Sequence, residues 1–139
     1  MIDIKQMNAV ALKVSNLERS MEWYGEHFGF EYRYKAEGCV IVGVRNVELV
    51  LSPHDNPNAP LANPREVRCI HTLGFEILEC EFDKLRDEFR EDGEMVAFDQ
   101  EEFQSIITSD PDGYCVELYY RKQPNNGLEH DAEDCAAQP

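Results

Sequence analysis

Two short segments nearly repeat one another, VELVL at 47–51 and VELYY at 116–120, and they place Glu48 and Glu117 69 positions apart. On strands that turn both acids into one cavity, such a pair has three chemical uses. It could hold a hard divalent ion such as Mg or Mn. It could attract a cationic ligand, or supply a general base, because like charges buried together disfavour ionisation and raise a carboxyl pKa. Lys13 could balance part of that charge. The other reactive side chains carry weaker signals. His27 falls on a helical pattern, His54 in a proline-rich stretch and His130 near the end, so all three read as surface residues. Cys39, Cys69, Cys80, Cys115 and Cys135 are an odd number with no CxxC, which reads as reduced thiols without a marked nucleophile.

The elements that must position these residues follow from periodicity. Ala9–Val14 is a short apolar strand, and Ser15-Asn16 supplies N-cap chemistry. Leu17, Met21, Tyr24 and Phe28 then form one helical stripe over 17–28, which Gly29 ends. Strand patterns follow at Glu31–Tyr34, Cys39–Val44 and Val47–Leu51, the last two joined by Arg45-Asn46. Four prolines between Ser52 and Pro64 mark a connection rather than an element. The same order then returns: a strand over Thr72–Leu78, a helix from about Glu81 to Glu91 with Phe82, Leu85 and Phe89 on one face, and strands near Met95–Phe98, Phe103–Ser109 and Tyr114–Tyr120. The turn before the last strand is Asp110-Pro111-Asp112-Gly113.

This is an internal repeat of β-α-β-β-β. Laying AVALKVSN on TLGFEILE gives an offset of 63, six fewer than the offset between the two VEL segments. The expected fold is α+β: two βαβββ modules forming an open, cup-like, eight-stranded mixed sheet with helices outside. Module one spans 7–52, the linker 53–70 and module two 71–121, together one domain; 122–139 is a polar tail with no periodic apolar face, expected to be poorly ordered.

Charge narrows the function classes. The 139 residues carry 13 Lys plus Arg against 28 Asp plus Glu, a net charge of −15. Nucleic-acid binding needs clustered basic residues, so it is excluded, and anionic membrane surfaces are disfavoured. The first residues do not resemble a signal peptide, no stretch approaches a membrane span, and the cytoplasm is the expected compartment. With 42% hydrophobic residues the chain can build a core.

The segments AVALKVSNLERSMEWYGEHFGF, HTLGFEIL and SDPDGYCVELYYR resemble the vicinal oxygen chelate superfamily, the group of glyoxalases, bleomycin resistance proteins and extradiol dioxygenases. The resemblance covers Met7 to Arg121. It implies a metal site built from His on the first strand of each half and a carboxylate on the last strand. Glu117 matches the carboxylate position, with Glu48 its first-half counterpart. The His positions fall on Ala9 and Thr72, neither of which replaces an imidazole. His71 is one residue from that place, and a one-residue shift turns a strand side chain to the opposite face unless a bulge intervenes. No metal is therefore expected. Glu48, Glu117 and His71 stay as weak candidates should a divalent ion bind.

If both acids point inward, Ala9, Ala11, Lys13, Glu48, Thr72, Gly74, Cys115, Glu117 and Tyr119 line the ligand space. Small residues there leave room for a ligand, unless side chains such as Ile106 or Tyr119 fill it. The resemblance then points to a metal-independent small-molecule binding protein of the bleomycin-resistance kind, dimeric with a second copy of itself, sequestering a cationic or aromatic compound. The alternative is a divergent glyoxalase-like lyase or isomerase, or less readily a dioxygenase, using Glu48 and Glu117. A cofactor-free isomerase or cyclase with one Glu as base is not separable from binding by sequence.

Overall fold

Asn16 opens the first helix because its side chain satisfies a donor that the helix leaves unpaired: Oδ1 accepts from the Arg19 N–H at 3.0 Å. Gly29 closes it in the left-handed conformation, φ 70°, with N–H groups of Gly29 and Phe30 returning to the carbonyls of Gly25 and Tyr24. In this computed structural model the described residues are 2, 6–7, 9–59, 72–91 and 95–122. The chain divides into two compact units, Met1–Leu61 and Ala62–Pro139.

The first unit contains β1 (Ala9–Val14), α1 (Leu17–Phe28), β2 (Glu31–Ala36), β3 (Cys39–Val44) and β4 (Val47–Pro53). Its sheet runs β1-β4-β3-β2, with β1 parallel to β4 and the other pairs antiparallel. Leu12, Val14, Leu49 and Leu51, with Val40 and Val42, face the helix and are buried around Tyr24 and Ser20. Alternation puts Ala9, Ala11, Lys13 and Glu48 on the other face. The second unit repeats the order with β5 (Leu73–Glu76), α2 (Glu79–Glu91), β6 (Val96–Asp99), β7 (Phe103–Ser109) and β8 (Cys115–Arg121), in a sheet β5-β8-β7-β6. Leu73, Val116, Leu118 and Ile106 are buried on the face that meets Phe82, Leu85 and Phe89 of α2, and Tyr120 packs edge-on against Phe82 at 5.0 Å.

The fold is thus α+β, two βαβββ modules with open four-stranded mixed sheets. In both modules the outermost strand shows large side chains to solvent: Tyr32 and Tyr34 on β2, Val96 and Phe98 on β6. The turn before β8 is held by Asp110, which is buried and whose Oδ1 accepts from the N–H groups of Asp112 and Tyr114, each at 2.9 Å. Gly113 completes it at φ 86°.

Reduced thiols are found at Cys39 and Cys115. Cys80 corrects that expectation, because it is disulfide-bonded; its partner lies outside the described residues. An odd count without CxxC reports local motifs and is silent on thiols that folding brings together. Most of the connection 53–70 and residues 123–139 of the tail also lie outside the described residues, so the expectations placed there do too.

Candidate functional site

The strand registers place each candidate residue within its own module. In the first, Ala9 of β1 pairs with Glu48 of β4, which pairs in turn with Gly43 of β3. In the second, Gly74 of β5 pairs with Glu117 of β8, which pairs with Ile107 of β7. The residue equivalent to Ala9 is therefore Gly74, two positions beyond Thr72, which precedes β5 and is half-buried. The shift is even, so the face is unchanged. His71 lies outside the described residues.

Glu48 has a partner that alternation does not reveal. Tyr32 pairs with Val42 and Tyr34 with Ile41, so Arg33 is the extra residue of a β-bulge on β2. Its side chain crosses Gly43, and Nη1 donates to Glu48 Oε1 at 2.7 Å while Nη2 donates to the Arg45 carbonyl. Arg45 sits in the β3–β4 turn at φ 50°. The Glu48 charge is balanced inside its own sheet by Arg33, which takes over the part expected of Lys13. Lys13 is exposed and pairs in register with Ser52.

Glu117 is built differently. It is half-buried on the face shared with Gly74, Cys115 and Tyr119, and among the described residues neither a hydrogen bond nor an ion pair reaches its carboxylate. The Tyr119 ring lies across Gly74, its Cε1 3.7 Å from where a Cβ on that glycine would stand. Tyr119 thus takes part of the space that the small residue leaves. Ile106 does not: it is fully buried on the helix face, opposite Leu118. Ser105 pairs with Tyr119 on the Glu117 face, and its buried hydroxyl has no partner among the described residues. At the end of this face Arg121 reaches Glu76 at 3.5 Å, both about half exposed.

Sequence reasoning missed Arg33 and Ser105. A signal for Arg33 was present: Gly43 interrupts the apolar strand CVIVGV, and a glycine inside a strand marks a bulge or a close approach.

The donors beside the two carboxylates do not suit a divalent ion. Ala9 and Gly74 offer no ligand atom where the pattern needs imidazoles, and Glu48 is committed to Arg33. No group of three or more His, Cys, Asp or Glu able to hold a metal occurs among the described residues. No helix among them is long and apolar enough to cross a membrane.

No curated protein matches the sequence. Solved structures with the same fold include fosfomycin resistance protein FosX from Mesorhizobium loti (TM-score 0.64, 18% identity, covering 85% of this chain and 93% of that one). Lactoylglutathione lyase from Agrobacterium tumefaciens superposes with TM-score 0.60 at 20% identity, over 84% of this chain and 94% of that one. An integron cassette protein from the mobile metagenome of the Halifax Harbour sewage outfall gives TM-score 0.62 at 22% identity, over 84% and 99%. At these identities the likeness is one of fold. The family model for the Glyoxalase/Bleomycin resistance protein/Dioxygenase superfamily matches residues 6–118, and the chain belongs to that superfamily.

Proposed function

We propose that the protein binds a small cationic or aromatic compound without a metal, with Glu117 as the charge that meets it and the Tyr119 ring as the surface it stacks on. The observation that carries this reading is the unequal state of two equivalent carboxylates. Glu48 is neutralised by Arg33, whereas no described residue neutralises Glu117. A half-buried carboxylate without a counter-charge favours a cation brought by a ligand. An aromatic ring beside it adds cation–π attraction. The net charge of −15 raises the local concentration of cations at long range. The reading includes a homodimer in solution, as family resemblance implies, and a cytoplasmic protein that acts by sequestration.

The test is calorimetric titration of cationic glycopeptide and planar aromatic cations into the full chain, with metal removed by chelation. Binding that persists without metal and weakens about tenfold in Glu117→Gln, the factor for losing one charge contact, supports the reading. Metal-dependent turnover of a 2-oxo-aldehyde thiol adduct, with no binding across the panel, overturns it in favour of a glyoxalase-like enzyme. Light scattering on the same samples reads the oligomeric state.

A further inference from the structure

We infer that Arg33 anchors an oxyanion: the carboxylate or phosphate group of a small molecule seated in the polar cavity at the end of β2 and β3. This goes beyond the reading of Glu117, because the residues belong to the first module and the ligand charge is opposite.

A guanidinium has five N–H donors in a rigid fork. Two of those of Arg33 are used, on Glu48 and on the Arg45 carbonyl; the Nε–H and one hydrogen on each Nη have no partner among the described residues. The side chain is one-third exposed, at 33%. It forms part of the wall of a cavity of about 290 Å³, together with Glu31, Tyr32, Gly43 and Arg45. That volume suits a small ligand of a few heavy atoms more readily than a drug-sized one.

Three features hold the guanidinium there. The bulge turns Arg33 off the regular alternation of β2. Gly43 leaves room for the arm to cross the sheet, since any side chain at that position would collide with it. Glu48 and the Arg45 carbonyl then fix the head. A fork held in advance loses less entropy on meeting an oxyanion than a free surface arginine does. Two parallel N–H donors match the spacing of two carboxylate or phosphate oxygens. Glu31 is the opposing charge on the wall, so binding is expected in the millimolar range rather than tighter. The exposed ring of Tyr32 offers an apolar contact to the remainder of the ligand.

The experiment is an NMR titration of the full chain that follows arginine Nε–H signals near neutral pH, with inorganic phosphate and benzoate as separate probes. The Arg33 signal is the one absent from Arg33→Lys. A saturable shift of that signal with either probe supports the inference, and which probe works tells phosphate from carboxylate. Binding, read in the variants from the backbone amide shifts of the wall residues Gly43 and Arg45, then falls about tenfold in Arg33→Lys, as loss of a charge-assisted bond requires. It strengthens in Glu31→Gln and is unchanged in Glu117→Gln, which separates this site from the one proposed above. The inference is overturned by shifts that sodium chloride of equal ionic strength reproduces, by no saturable shift with either probe, or by equal affinity in Arg33→Lys.

Discussion

The side chain of Arg33 lies so close over Gly43 that a Cβ placed on the glycine would stand 2.2 Å from Arg33 Nε and 2.4 Å from Cζ. One residue's missing side chain is thus the space the other's arm occupies. Because the colliding atoms are the far end of a flexible chain, the arm can yield. The substitution then tests the pair rather than the fold.

Gly43→Ala should displace Arg33 from Glu48 and destabilise the protein by no more than about 1 kcal/mol, the range for a partly exposed ion pair. In an Arg33→Ala background the same substitution should have almost no effect. Urea denaturation of the four proteins gives the coupling directly. Additive effects would show that the glycine serves some other purpose.

The turn before β8 depends on Asp110, a buried side chain that accepts two backbone N–H bonds through one oxygen. Asp110→Ala leaves both donors without that acceptor and should lower stability by about 1–3 kcal/mol. Asp110→Asn keeps a carbonyl oxygen and should retain most of it. A similar loss in both variants would mean that charge, not geometry, holds the turn.

Asp99 titrates below its ordinary value of 3.8 because Lys122 donates a hydrogen bond to its carboxylate and adds an attractive charge, with Gln104 contributing a weaker bond. A depressed pKa in the folded state stabilises above the unfolded value, and that contribution disappears as pH falls from about 4 through the folded value. NMR titration of the Asp99 carboxyl should give a midpoint below 3.8 that moves upward in Lys122→Met. An unmoved midpoint would remove Lys122 as the cause.

Leu49 and Leu118 are fully buried, one under each helix. Truncating either to Ala should destabilise by about 2–5 kcal/mol through lost burial and the cavity left behind. Following Trp23 fluorescence alongside circular dichroism shows whether Leu118→Ala loosens the second module alone or both together, since Trp23 lies on α1. Coincident transitions would mark one cooperative unit.

Much of the architecture was legible. The strands Ala9–Val14, Cys39–Val44 and Phe103–Ser109 and the helix Leu17–Phe28 form where periodicity and caps place them. Those segments combine an unbroken apolar period with clear stop signals. The second half was harder to place in register. Eight positions separate Ala9 from the start of α1, but only five separate Gly74 from the start of α2. Laying AVALKVSN on TLGFEILE uses an offset of 63, two short of the 65 that separates Ala9 from Gly74, and so lands on Thr72. The small size of Gly74 was visible, and so was Tyr119 as a side chain that could fill the gap, whereas Ile106, the other residue named for that space, is buried on the helix face. Arg33 escaped because a bulge breaks the period of two on which face assignments depend. The disulfide at Cys80 escaped because pairing is a matter of distance in the fold, not of spacing along the chain.

The bulge at Arg33 has a further effect on how safely this chain can be crowded. An outermost strand offers unpaired backbone groups to any passing strand, and a straight, flat one is a template for uncontrolled stacking. On β2, where Tyr32 and Tyr34 are exposed, the irregularity spoils that template and a fixed cation sits in the middle of it. On β6, with Val96 and Phe98 exposed, no register shift interrupts the pairing with β7, and what limits the template is brevity, four residues ending in a charged Asp99. One boundary is guarded by distortion and the other by shortness, so the two should fail differently: the first when the distortion is ironed out, the second when the strand is extended.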